Sequence, residues 1–402
     1  MHRLRYDLLA FGFGAAPVVA VIAPNGLAVV FVALGIVAVI STSFAPPRHV
    51  WLPVIALVLW AAITVIWSPN PREALDGLVR IAATSLLGLW LVSAMFQAKR
   101  ESRKRIETAL MIGMCAAAAL LVTQLAAQLV RSSDAGIAGY ILPAHTNFQA
   151  LFNRTMAFLS MLLPIFVLLV WERAGSIAAA TVLLIGGGLI FAFNSKAAQL
   201  AFGCAMIGFA FAAVFGSSGR RWLAAGLVAA ILATPWIVQS EFLRQLAERR
   251  DISPSIYHRA AIWEFVAAKI EQAPVFGWGL HASRQMAGSS AEIAPGAELL
   301  PLHPHNFALQ IWLELGLIGA IVASTLIWML GSGIPNDAAR RKAATSVFLA
   351  ALACASVGYG LWQGWWMSSL WLVAGLCALV FRDDAARGTF ADGVDVSRRG
   401  EA

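Results

Sequence analysis

Twelve apolar stretches, most of them near the length needed to cross a bilayer, follow one another along this 402-residue chain. A hydrocarbon core is crossed by about 20 apolar residues in helical form, within a range of about 17–25. The stretches cover roughly 7–23, 26–44, 51–67, 78–96, 106–130, 149–171, 176–193, 197–216, 222–239, 306–330, 343–363 and 366–381. They predict an all-α, polytopic transmembrane helix bundle of about twelve spans. Joins as short as Pro24-Asn25-Gly26 and Asn194-Ser195-Lys196 make neighbouring spans antiparallel hairpins. The chain is 60% hydrophobic and 12% charged, against about 25% charged in soluble domains, which excludes most water-soluble folds and a disordered chain. Arg3 and Arg5 ahead of the first span give it the outline of a signal peptide, but the unbroken series behind it favours a retained helix.

A formal net charge of +8 suggests nucleic acid until the cations are located. Most sit in short loops between apolar blocks, where they orient a membrane protein. With both termini in the cytoplasm, the cytoplasmic segments hold 18 of the 29 lysines and arginines, including Lys99, Arg100, Arg103, Lys104 and Arg105. The positive-inside rule therefore sets the sidedness and argues against a nucleic-acid partner. Cys115, Cys204, Cys354 and Cys377 lie inside apolar blocks without paired spacing, as small core residues do.

The division along the chain is then 1–239 for the first nine spans, 240–304 for a long external loop, 305–382 for the last three spans and 383–402 for a polar cytoplasmic tail. A loop of this length is functional or disordered more often than not. It carries an amphipathic helix opening near Arg259, with Ile262, Phe265, Val266 and Ile270 on one stripe suited to lipid or to the bundle. Pro274 and the Gly277-Trp278-Gly279 turn end it, and a shorter helix is expected at 241–249.

Ionisable groups gather on the external side. His303 and His305, in HPHN at the mouth of the tenth span, offer imidazoles able to take a proton near neutral pH. They also fit a hydrogen-bonded interfacial turn, and two histidines two apart can share a zinc ion, though no cysteine or acid cluster completes such a set. Arg154 lies inside the sixth span and Lys196 at the turn between the seventh and eighth. Charges at such depth face a cavity, a partner or an anion, or else snorkel to head groups. Glu314 is the one carboxylate in the interior of a predicted span, too far along the helix to orient His305. It is expected to hydrogen-bond another helix, with Gly316 and Gly319 as a small-residue contact face. Trp362, Trp365, Trp366 and Trp371 are read first as interfacial anchors and second as a platform for sugar rings. There is no Walker loop, dinucleotide fingerprint, HExxH helix or external aspartate pair.

Four pieces make the chain similar to a known family. They are His305-Asn306 with the following LQIWLELGLIGA, Arg259 with IW three residues on and PVFGWG beyond, the NSKAAQ turn, and FNRT at 152–155. The sequence resembles the O-antigen ligase and polymerase superfamily over about residues 140–330. That resemblance implies a GT-C-like glycosyltransferase of the bacterial inner membrane, working without cofactor or metal on its periplasmic face. The donor would be a glycan on undecaprenyl pyrophosphate and the acceptor the lipid A-core of lipopolysaccharide. The motifs carry the catalytic roles onto His305 and Arg259, and substrate binding onto Arg154, Lys196, His303, Asn306 and Trp263. Lys196 stands where relatives favour arginine, so it brings charge without the bidentate fork. Within the superfamily, O-antigen or exopolysaccharide polymerases and protein O-oligosaccharyltransferases are the alternatives. A transporter ranks lower, because the halves are unlike and charge is sparse at the midplane.

Overall fold

The computed structural model describes residues 2–133, 148–241, 254–286 and 302–382, with 245, 290, 292–294 and 297–300 between them. All of the helix expected at 241–249 except Glu241 and Gln245, the link 134–147 and the tail beyond Arg382 lie outside the described residues. Eleven α-helices stand among the described residues: α1 (His2–Ile22), α2 (Leu27–Ser41), α3 (Arg48–Thr64), α4 (Pro71–Gln97), α5 (Arg100–Ser133), α6 (Phe148–Ala192), α7 (Lys196–Val238), α8 (Pro254–Gln272), α9 (Phe307–Ser332), α10 (Ala338–Val357) and α11 (Gly364–Val380). A two-stranded antiparallel pair, Glu292–Ala294 with Ala297–Glu298, is the only strand structure among the described residues and was not expected.

Among the described residues, eight helices are long and apolar enough to cross a membrane, and α11 is a shorter apolar helix. Two of the eight are double length. Gly175 (φ 81°) divides α6, and Gly216 (φ 59°) divides α7, so each bends into two limbs without a loop. These four limbs, the other six long helices, α10 and α11 match the twelve predicted stretches one for one. The chain is a polytopic membrane helix bundle.

Without water between helices to expel, packing rests on close van der Waals approach. At the α1–α5 contact, a Cβ on Gly113 would sit 1.9 Å from the carbonyl oxygen of Gly14, so these backbones touch directly. The central element is α9, which packs on α3, α7, α8 and α10. Every residue from Phe307 to Gly316 is buried.

Gly316 (φ 64°) breaks α9, and the break is filled by the chain that follows α8. Trp278 and Gly279 donate backbone N–H groups to the carbonyls of Leu313 (2.8 Å) and Glu314 (2.9 Å), while Leu317 donates to Pro274 O at 2.9 Å. The indole of Trp60 caps the Leu315 carbonyl at 2.8 Å, and that of Trp67 caps Gly277 at 3.2 Å. Irregular backbone inside a membrane protein persists only where protein satisfies it in this way. A Cβ on Gly316 would lie 2.3 Å from Val275 O, and one on Gly277 would lie 2.6 Å from the Glu314 backbone. The expectation of a helix–helix face at Gly316 is thereby corrected: this glycine admits the PVFGWG segment, in a conformation unfavourable for other residues. A Cβ on Gly319 would meet its own helix's Leu315 side chain.

The bundle has two unlike ends. One gathers the first residues of α1 and α5, the bends at Gly175 and Gly216, and the α9–α10 connection. Arg105 bonds Asp7 there at 2.7 Å, Arg173 reaches Glu107 at 3.2 Å, and Arg220 reaches Asn336 at 2.8 Å. This is the basic end. At the opposite end stand α8, the HPHN segment, the α1–α2, α6–α7 and α10–α11 turns, and the entry to α4.

Candidate active site

The HPHN segment is held open by its neighbours. Asn306 is the N-cap of α9, its Oδ1 accepting the Leu309 N–H at 3.1 Å, and the Trp263 indole of α8 donates to Pro304 O at 2.9 Å. Between them His305 takes a left-handed backbone, φ 53°. The Nδ1 of His305 lies 2.8 Å from the Gly358 carbonyl. A carbonyl only accepts, so Nδ1 carries the proton and Nε2 keeps its lone pair. Burial holds this imidazole below its usual 6.5; the bond to Gly358 opposes that shift, and the charges of Arg259 and His258 add to it. At neutral pH the ring is a neutral base.

His303 has a different position. Its ring stands 4.3 Å from that of His305, centroid to centroid. The Gln363 amide lies 3.1 Å from its Nε2, and the His305 backbone N–H points at its Nδ1 from 3.3 Å. Burial first, then the neighbouring His305 and Arg284, push it down to about 3. A ring already approached at both nitrogens has no edge left for substrate. Neither histidine is arranged for zinc, since no third ligand stands with them among the described residues.

The turn from Gly358 to Gln363 supports both. Besides bonding His305 through Gly358 and His303 through Gln363, it donates the Leu361 N–H to Gln310 Oε1 at 2.8 Å and the Trp362 indole to Glu314 Oε2 at 2.7 Å. Glu314 is fully buried and also accepts from His281 N (2.9 Å), Ser283 Oγ (2.6 Å) and Gln310 Nε2 (3.1 Å). Its role is structural, but its partners are the 281–283 turn, its own helix and the Trp362 turn in place of the expected neighbouring span, four donors from three segments on one carboxylate.

The cations come together around Tyr359. Its hydroxyl donates to Asn153 O at 2.7 Å, its ring stands edge-on to Trp365 at 4.6 Å, and burial raises its phenol while Arg154 and Arg259 pull it back. The Arg154 guanidinium lies over the Trp365 ring at 5.3 Å and donates to Asn25 Oδ1 of the α1–α2 turn at 2.5 Å. No carboxylate pairs with it among the described residues. Arg259, on the first turns of α8, is largely buried, and burial lowers it while Tyr359 opposes the shift. It stays charged near neutrality. Lys196 is exposed at the start of α7, where the next residue, Ala197, abuts Gly358. His305, Arg259, Arg154 and Lys196 thus stand on one end of the bundle around one turn. Trp263 and Asn306 instead shape the HPHN segment, and His303 fixes its conformation.

Ile262, Val266 and Ile270 of α8 are buried, as their spacing predicts, and the stripe packs on α9 and α7. The tryptophans depart from expectation. Trp366 is fully buried and Trp365 is 8% exposed, so these two lie inside the bundle, whereas Trp362 and Trp371 are half-buried, Trp371 over Gly88. The functional surroundings missed by sequence reasoning are Tyr359, Gly358 and Gln363. The signal available was the dense GYGLWQGWW run, with three glycines and a glutamine between two apolar spans.

The comparisons with known proteins cover part of this site. Residues 179–324 match the family model described as O-Antigen ligase, a stretch that includes Lys196, Arg259, His303 and His305. A Rickettsia felis protein provisionally named a polysaccharide ligase is 26% identical over 334 residues, covering 81% of this chain and 79% of its own. A protein of Rickettsia typhi with the same provisional name is 26% identical over 334 residues, 81% of this chain and 80% of its own. One from Rickettsia conorii reaches 36% identity over 171 residues, 40% of this chain and 42% of its own. The chain is thus a polytopic membrane protein similar to the O-antigen ligase family over residues 179–324 and, at lower identity, to these Rickettsia proteins over most of its length.

Proposed function

We propose that this protein is a glycosyltransferase of the lipid-linked type, moving a glycan from undecaprenyl pyrophosphate to the lipid A-core of lipopolysaccharide. The observation that carries the reading is the neutral His305, with its Nδ1 proton fixed on Gly358 and a free Nε2, beside a cluster of cations rich in neutral partners. His305 Nε2 takes the proton of an acceptor hydroxyl as that oxygen attacks the anomeric carbon. The new bond forms as the bond between the anomeric carbon and the pyrophosphate oxygen breaks, and the electron pair leaves with the pyrophosphate. Arg259 and Arg154 offer planar forks to that anion, and Lys196 adds a point charge. One in-line displacement inverts the anomeric centre. The chemistry as written needs no metal.

The distribution of lysine and arginine supports a cytoplasmic basic end and a periplasmic site in the inner membrane. The test uses purified full-length protein in detergent with EDTA, a polyprenyl-pyrophosphate glycan and a lipid A-core acceptor. Glycan on the lipid A-core with inverted configuration is the expected product. Longer glycans left on the polyprenyl carrier would replace the ligase reading with a polymerase, and a retained configuration would overturn the single displacement.

A further inference from the structure

The other end of the bundle holds a feature that glycan transfer does not use. Beside the Gly216 bend of α7, a cavity of about 560 Å³ opens at the basic end between the second limb and the end of α9. It is lined by Ser217, Ser218, Arg220, Arg221, Trp222, Ala225, Trp328 and Asn336, with no acidic side chain among them. Asp337, next in the chain, is turned away to cap α10, its carboxylate accepting the Arg340 N–H at 2.9 Å.

The two arginines are set up differently. Arg220 is fixed, donating from Nη1 to Ile334 O and to Asn336 Oδ1, both at 2.8 Å, while its buried Nε has no hydrogen-bond partner. Arg221 is exposed and makes no hydrogen bond or ion pair among the described residues. Around them, Ser217 and Ser218 bring hydroxyl donors. The flanking surface is apolar and aromatic: Trp222 is 77% exposed and Trp328 40% exposed. Donors of positive charge at the head of a cavity and tryptophans along its sides suit one ligand chemistry, a phosphate diester joined to acyl chains. Basic recesses between transmembrane helices bind anionic head groups in this way, and exposed tryptophans lie at head-group level.

We propose that this recess is a binding site for an anionic phospholipid, with the phosphate on Arg220, Arg221 and Ser218 and the acyl chains along Trp222 and Trp328. It is independent of the catalytic reading, because it lies at the opposite end of the bundle and shares no residue with the candidate active site.

Native mass spectrometry of the full chain, titrated with phosphatidylglycerol or phosphatidylcholine in detergent, tests it. Phosphatidylglycerol should bind preferentially, and Arg221→Gln should weaken it by roughly fivefold, from about 1 kcal/mol per interfacial cation. Lys104→Gln, which removes an exposed charge at the same end outside the recess, should leave binding unchanged. Arg221 carries no bond of the fold, so its variant keeps the helix packing. Equal retention of the two lipids, or equal loss with Lys104→Gln, would overturn the site. Displacement of the lipid by millimolar inorganic phosphate would reassign the recess to a free phosphate and overturn the lipid proposal.

Discussion

At the basic end Arg103 bonds Glu107 at 2.6 Å, and the same carboxylate takes Arg173 at 3.2 Å, so two cations share one nearly buried anion. Arg105 is likewise held by Asp7 at 2.7 Å and by Glu101. At the loop end Arg154 rests on the Trp365 ring and a neutral amide, and Lys196 is exposed. The ion pair found there, Arg284 with Glu73 at 3.2 Å, ties the loop to the first turn of α4. A cation matched by a protein carboxylate is part of the fold, and removing its partner strands a charge in a poor solvent. A cation held by neutral groups keeps its positive field for something that arrives. The difference separates cations matched within the fold, such as Arg103, Arg105 and Arg173, from Arg154, whose partners are neutral and which the proposed function assigns to an arriving anion.

Substitutions separate the two ends. The largest effect on chemistry is expected from His305→Ala, a loss of about 10²–10⁴ in transfer rate with little change in thermal unfolding, because the ring is partly exposed and makes one hydrogen bond. A matching loss of folded protein would make His305 scaffold and not base. Next, Glu107→Gln should lower stability by about 3 kcal/mol while the surviving folded fraction transfers glycan normally. Calorimetry in detergent beside a turnover assay reads both, and an activity loss with intact stability would undo the contrast. Arg154→Gln should give the reverse pattern, with donor affinity down about tenfold, or about 1.4 kcal/mol, and stability almost unmoved. Binding isotherms with a polyprenyl pyrophosphate would detect it, and unchanged affinity would return Arg154 to simple snorkelling.

The smallest effects concern pH. His305 is held below 6.5, so its base form is full at neutrality, and kcat/KM should hold as pH falls through 6.5 and decline only on further acidification. His303 carries a linked cost. Its folded value of about 3 lies below the unfolded 6.5, so between these values only the unfolded chain takes up the proton. Stability should therefore fall as pH drops from 6.5 toward 3. Hydrogen exchange of the 303–306 segment at pH 7.5 and 5 tests this: protection should weaken at the lower pH, and equal protection at both would contradict the burial assigned to the ring.

The spans were legible in the sequence because length and apolarity are local properties, and lipid leaves a chain of that kind no alternative to helix. That included the bends, where Gly175 and Gly216 stand between limbs already counted as separate spans. The amphipathic stripe of α8 was legible for the same reason, since a period of about 3.6 residues needs no knowledge of what covers it. His305 and the three cations were legible as residue types out of place for their depth. Their arrangement was not. Gly316 looked like a helix-contact residue because its φ of 64° is written only by the loop that enters beside it. Glu314 looked solitary because its donors come from residues 281, 283, 310 and 362, which no local pattern links. The different ring contacts of His303 and His305 come from Gln363 and Gly358, more than fifty residues further along.

What the amino-acid sequence alone determined is therefore the membrane solvent, the number of crossings and the chemical types present at one end. The tertiary structure decided which imidazole keeps a free nitrogen, which glycine opens a helix, and that Arg154 rests on a ring and an amide. The physical reason is range. Hydrophobicity and helix period act over neighbouring residues, whereas a proton's position, a buried carboxylate's donors and an unbalanced charge depend on groups that meet only when the chain has folded.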